Sequence, residues 1–183
     1  MNRLLTVVLG VCLVCSLLLP ALAAEEAGVK VGKTAPGFKA KTQENKDATL
    51  ADYKGKWLVL YFYPKDDTPG CTAEACEFTE SIADFKDLNA AIVGISADSI
   101  ESHLKFIAKY KLTITLLSDP QREMMKAYGA YVETEKDGKK TGKVVRSTVI
   151  VNPEGVVAFH YLTVNPRGHA KEVKAKLEEL QKK

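Results

Sequence analysis

The sequence predicts an α/β fold in which a mixed central sheet is flanked by helices and preceded by an N-terminal hairpin. Three observations carry that expectation. Short apolar, strand-like runs at residues 57–62, 91–95 and 113–117 alternate with stretches whose apolar residues recur at helical spacing. Two further strand-like runs, 144–151 and 156–161, are joined by Asn152-Pro153-Glu154-Gly155, a turn signal that predicts an antiparallel hairpin. The part of the chain beyond residue 24 is about 160 residues long, enough for one domain with its own core.

Residues 1–24 read as a signal peptide. Arg3 supplies the positive end, residues 4–19 are apolar, and Ala21-Leu22-Ala23 is a small-x-small cleavage site. The apolar run stops at Pro20, short of the ~20 residues that span a bilayer. Neither Cys12 nor Cys15 follows a small residue, which argues against a lipoprotein site. Cleavage leaves residues 25–183 as one exported domain, with a bacterial periplasm as the expected compartment and no stable attachment to the membrane. It removes two of the four cysteines and lowers the net charge from +3 to about +2. The remaining charges are mixed in sign and form no nucleic-acid groove.

In the mature region, Glu44-Asn45-Lys46-Asp47 marks the turn of a small hairpin within residues 31–50. A turn at residues 52–56 leads into the strand 57–62. Ala75, Phe78, Ile82 and Phe85 then define an amphipathic helix. After the strand 91–95, Asp98-x-x-Glu101 resembles a capping box, and Ile100, Leu104 and Ile107 mark a helix to about Tyr110. The strand 113–117 closes at Asp119-Pro120, and a short helix over 121–128 ends at Gly129. Residues 131–143 are polar and lysine-rich, with Asp137-Gly138, and read as a solvated loop or hairpin tip. The last helix spans 169–181, with Val173, Leu177 and Leu180 on one face.

The chemistry concentrates in residues 61–76. Pro64, Pro69 and Gly70 break the chain between strand and helix. Thr68 suits the helix N-cap and Pro69 its first position, so Cys71 falls in the first turn. There the free backbone N–H groups and the helix dipole favour a thiolate, the nucleophilic form. Glu74, Glu77 and Glu80 on the same helix oppose it, which calls for a cation from elsewhere. Cys71 lies roughly in line with Ala75 and Phe78 and should face the protein. Cys76, about 140° around the helix, should be more exposed. Residues five apart on a helix have Cα atoms roughly 8.7 Å apart, whereas a disulfide needs about 4.4–6.8 Å. The two cysteines therefore cannot bond while the helix is intact.

Pro64-x-x-x-Thr68-x-x-Cys71, with Cys76 five residues on, resembles the peroxiredoxins. The run Thr68-Pro69-Gly70-Cys71-Thr72-x-Glu74-x-Cys76 is most similar to their bacterioferritin-comigratory, or Q-type, subfamily. The resemblance extends from about Val31 to the C-terminus and implies a thioredoxin-like fold, with the N-terminal hairpin covering one edge of the sheet. It implies a peroxidase for hydrogen peroxide and organic hydroperoxides, without a cofactor or metal, recycled by a thioredoxin-like dithiol protein and acting as a monomer. Cys71 would be the peroxidatic cysteine, oxidised to a sulfenic acid, and Cys76 the resolving cysteine. Thr68 would bind the peroxide and Pro64 would shield the thiolate. Arg146, in Arg146-Ser147-Thr148, would be the missing cation beside the sulfur. His169 matches the family's Gly-His pair and is expected to cap the last helix.

Each of these residues also has an ordinary explanation. Cys71 could be a buried structural thiol and Cys76 a small surface residue. Thr68 could be only a cap, Pro64 only a strand terminator, and Arg146 a solvated strand residue. His103, His160 and His169 show no metal-ligand spacing with the cysteines. Two other classes compete. An exported thiol–disulfide oxidoreductase would use C-x-x-C, whereas four residues separate Cys71 from Cys76. A copper carrier of similar fold would use Cys71, Cys76 and a histidine.

Overall fold

A computed structural model describes residues 28–137 and 139–182; the expected signal peptide lies outside them. Seven strands form the main sheet: β1 (Lys39–Thr42), β2 (Asp47–Thr49), β3 (Trp57–Phe62), β4 (Ala90–Ser96), β5 (Thr115–Ser118), β8 (Ser147–Val151) and β9 (Val157–Tyr161). Their order is β2-β1-β5-β4-β3-β8-β9. β3, β4 and β5 run parallel, while β1–β2, β1–β5, β3–β8 and β8–β9 are antiparallel, so the sheet is mixed as predicted. The N-terminal hairpin pairs with β5 and extends that edge.

The helices are α1 (Pro69–Glu80), α2 (Ile82–Asp87), α3 (Ile100–Tyr110), α4 (Glu123–Ala127) and α5 (His169–Gln181). Strand alternation divides the core into two layers. Val59, Tyr61 and Tyr63 face Phe78, Phe85, Phe106, Val173 and Leu177, which come from α1, α2, α3 and α5. Leu58, Leu60 and Phe62 face the other way, toward Met124, Met125, Tyr128 and Val149. Gly94 of β4 makes room for the first layer. A Cβ there would come within 2.5 Å of the Tyr61 ring, which packs under α1 at 4.9 Å from Phe78.

Several expected boundaries move. The helix expected through Phe85 breaks at Ser81 into α1 and α2, although Phe78 and Phe85 still share one core at 5.9 Å. α3 is capped by Ser99, which accepts the Ser102 N–H at 3.3 Å, and not by an Asp98–Glu101 box. Asp98 is engaged elsewhere. β5 begins two residues later than expected, and α4 is shortened because the Asp119 carboxylate takes the N–H groups of Glu123 and Met125 at 3.0 and 2.9 Å.

The lysine-rich segment is a regular two-stranded hairpin, β6 (Tyr131–Lys136) and β7 (Lys139–Val144), separate from the main sheet. The single strand expected over 144–151 is therefore two strands, one in each sheet. Val145 and Arg146 form the joint between them, and the Val145 N–H donates to Ala130 across the hairpin's base at 2.8 Å.

Candidate active site

α1 begins where the sequence predicts, with Thr68 at the N-cap and Pro69 in the first position. Cys71 follows in the first turn and is buried on the face that carries Ala75 and Phe78. Arg146 reaches it from the joint between β7 and β8. One guanidinium nitrogen, Nη2, donates to Cys71 Sγ at 3.1 Å, and the other, Nη1, is ion-paired with Glu74. Arg146 is therefore neither a strand residue nor a solvated one. Freed from ladder pairing at the joint, it can lie over the helix start.

Glu74 stood in the motif that carries the family resemblance, but the only chemistry read for it was that of one of three acids opposing the thiolate. Three residues beyond Cys71, it shares that residue's helix face and is completely buried. Burial pushes its carboxyl up to about 7, although Arg146 pulls the other way. One of its oxygens holds Arg146, and the other, Oε1, finds no partner among the described residues. Glu77 has a partner of its own. Both of its oxygens accept the Gly168 N–H at 2.9 Å, tying α1 to the start of α5. The same segment closes over the site at Gly70, where a Cβ would meet Pro166 at 3.2 Å and Arg146 at 3.5 Å.

Thr68 occupies the N-cap without capping. Its hydroxyl donates to the Lys65 carbonyl at 3.0 Å instead of accepting from the helix. Pro64 lies exposed just after β3. His169 is not a cap: it is buried in the first turn of α5, with Nε2 at 2.8 Å from the Thr148 hydroxyl, and Gly168 takes the N-cap position. His103 is likewise fully buried, its Nδ1 donating to the Asp66 carboxylate at 2.9 Å. An ionised carboxylate accepts only, so Nδ1 carries the proton.

Cys76 lies half-buried on another side of α1, and both cysteines are free thiols. Burial and the nearby Glu80 push the Cys76 thiol up. The two sulfurs thus differ in kind: Cys71 receives a cation's hydrogen bond, while the environment of Cys76 disfavours ionisation. That asymmetry suits a first nucleophile and a second thiol that reacts later. Among the described residues, no group of three or more His, Cys, Asp and Glu side chains converges on a point that could hold a metal ion. None of the described helices is long and apolar enough to cross a membrane.

Known proteins resemble this chain along most of its length. The AhpC/TSA family profile matches residues 31–160. A putative peroxiredoxin Bcp of Coxiella burnetii is 41% identical over 149 residues, covering 81% of this chain and 99% of that protein. Peroxiredoxin Bcp of Bacillus subtilis is 37% identical over 155 residues, covering 85% and 99%. Among solved structures, a Xanthomonas campestris peroxiredoxin Q superposes with a TM-score of 0.75 at 35% identity, covering 84% of this chain and 97% of its own. A Xylella fastidiosa PrxQ mutant gives 0.77 at 34%, covering 84% and 98%. The chain belongs to the AhpC/TSA family and, within it, to the peroxiredoxins of the Bcp/Q type.

Proposed function

We propose that this chain reduces hydrogen peroxide and organic hydroperoxides through Cys71, with Cys76 resolving the oxidised sulfur. Membership of the family makes it a thiol-dependent peroxidase; the division of labour between the cysteines is the finer reading. The observation that carries it is the Arg146 guanidinium donating to Cys71 Sγ at 3.1 Å, in the first turn of a helix.

The Cys71 thiolate attacks the terminal peroxide oxygen. The O–O bond breaks, its electrons leave with the departing alkoxide or hydroxide, which takes a proton, and the sulfur becomes a sulfenic acid. To Arg146 we assign the stabilisation of the negative charge as it moves from sulfur to the leaving oxygen; its bond to Cys71 Sγ supports that role. Thr68 and Pro64, at the strand-to-helix turn, are assigned the peroxide contact and the exclusion of water. Cys76 then attacks the sulfenic sulfur, water leaves, and a disulfide forms within what was α1. The Xanthomonas campestris bacterioferritin comigratory protein, 34% identical with a TM-score of 0.75, is described by its alkyl peroxide reduction activity, which supports the same substrate class here.

A thioredoxin-like dithiol protein returns both cysteines to thiols. The signal-peptide pattern of residues 1–24 supports export, with a periplasm as the working compartment, and we assign the mature protein as a monomer. Intact mass before and after one equivalent of peroxide tests the scheme. The expected product is a loss of two hydrogens in the wild type, a gain of one oxygen in Cys76→Ser and no change in Cys71→Ser. Equal loss of the first oxidation in both variants would contradict the assignment of roles.

A further inference from the structure

Thr68 can offer a bound peroxide a proton or a lone pair, and its neighbours decide which. Its Oγ1 donates to the Lys65 carbonyl at 3.0 Å. A hydroxyl has one proton, so with that proton given to Lys65 only lone pairs remain for a ligand. The carbonyl is itself held from the other end of its peptide. No cis peptide bond occurs among the described residues, so the Lys65 C=O and the Asp66 N–H point in opposite directions. That N–H donates to Asp98 Oδ2 at 2.8 Å. The same oxygen accepts the Ser96 hydroxyl at 2.7 Å, and the Asp98 N–H donates back to Ser96 Oγ at 3.0 Å. Ser96 is the buried last residue of β4. Hydrogen bonds joined through the Lys65–Asp66 peptide therefore link the end of β4 to the hydroxyl of Thr68.

We propose that Asp98 is a positioning residue for the peroxide: by orienting the Lys65–Asp66 peptide, it keeps the Thr68 hydroxyl a hydrogen-bond acceptor toward the peroxide O–H. Without the Asp98 oxygen, the peptide can rotate, the Lys65 carbonyl turns away, and the Thr68 proton competes for the oxygen it should receive from. The inference rests on the reading of Thr68 as a peroxide contact.

A double-mutant cycle on the full mature chain tests it, with the rate of Cys71 oxidation by hydrogen peroxide as the readout. Thr68→Val should slow the reaction about tenfold, roughly the worth of one hydrogen bond. Asp98→Ala should slow it comparably, and the double variant should be no slower than Thr68→Val alone. Asp98→Asn should restore the rate, since its amide oxygen still accepts the Asp66 N–H. Alkylation of Cys71 by iodoacetamide, which brings no O–H to Thr68, should proceed at the wild-type rate in Asp98→Ala; a general loosening of the site would change it. Should Asp98→Ala fail to fold, Ser96→Ala weakens the same oxygen's anchorage and should give a smaller slowing, again absent in the Thr68→Val background. Multiplying effects of Thr68→Val and Asp98→Ala, or a wild-type rate in Asp98→Ala, overturn the role of Asp98 alone. A wild-type rate in Thr68→Val overturns the reading of Thr68, and this inference with it.

Discussion

The loop of residues 64–68 and the helix α1 meet at Thr68, and their buried polar groups are satisfied to different degrees. In the loop, Asp66 is buried and saturated. Its carboxylate accepts from the Tyr63 hydroxyl at 2.7 Å, the Ser102 hydroxyl at 2.7 Å and His103 Nδ1 at 2.9 Å. Asp67 is gripped as well, by Lys109 and the Tyr110 hydroxyl of α3. In α1, Glu74 is completely buried with one oxygen unpartnered among the described residues, the buried Thr72 hydroxyl likewise finds no partner there, and the N-cap hydroxyl accepts no N–H of the helix. Buried polar groups without partners lower the stability of the structure that buries them. The loop is thus fastened to the sheet and α3, while α1 keeps its shape through apolar burial and a few tethers: Arg146, Glu77 to Gly168, and Thr79 to Thr113. The disulfide proposed between Cys71 and Cys76 requires α1 to unwind, and that inequality would let one wall open while the other stays.

The sharpest way to break the comparison is at Arg146, the tether to which the proposed mechanism also assigns a role in the chemistry. Arg146→Ala should slow peroxide reduction by about 10²–10³-fold, the typical loss of a transition-state donor. It should also loosen α1 in the reduced protein, because Glu74 is left buried without its cation. A near-normal rate in stopped-flow peroxide assays would return Arg146 to the status of a structural residue.

Asp66→Ala attacks the fixed wall instead. It strands three donors at once, those of Tyr63 and His103 buried, and should lower unfolding stability by about 1–3 kcal/mol, measured by urea denaturation of both the reduced and the oxidised protein. A loss in only one redox state would mean that the loop moves with α1 after all.

The two carboxylates should also differ in sign with pH. Burial pushes the Asp66 carboxyl up, but His103, Tyr63 and Ser102 outweigh it and hold it below the usual value. Its contribution is present above the ordinary carboxylate range and is lost as pH falls through the lowered value. Glu74 is raised from 4.5 to about 7. Between those values the folded protein holds a proton that the unfolded chain has released, so this contribution is lost as pH rises. Glu74→Gln should therefore flatten the fall in stability between pH 5 and 7, read from urea midpoints. An unchanged slope would show that Glu74 is ionised throughout.

The smallest effect is expected at Glu77→Ala. Losing the tether to Gly168 should cost about 0.5–1.5 kcal/mol and quicken disulfide formation after the sulfenic acid appears. Slower resolution would mean that the tether assists the opening.

The sequence made the movable wall easier to read than the fixed one. Cys71, Thr68 and the helix start announced themselves through Pro and Gly punctuation and the spacing of apolar residues. The α/β order and the limits of α5 followed from periodicity as well; the N-terminal hairpin was legible from its turn signal, its place on a sheet edge only from the family resemblance, and that the edge is β5 not at all. Arg146 was legible by its motif, but its exit from the sheet was not, because a run of β-branched residues gives no sign of where one sheet ends and another begins. Glu74 carried a faint signal, its place three residues after Cys71 on a buried face. Asp66, Asp98 and His103 were hidden because partners 32 and 37 residues apart are joined only by the fold. A polar residue in a turn looks solvated until its partners are known.

Hydrogen exchange in the two redox states tests the central claim most directly, that oxidation opens α1 while its neighbours hold. On forming the disulfide, amides of residues 71–78 should lose protection. Those of β3 and β4, which underlie the fixed wall, should keep theirs, and so should the Asp66 amide bound to Asp98. Equal protection of residues 71–78 before and after oxidation would contradict the account. Cys76 would then be a bystander, and an outside thiol would have to resolve Cys71.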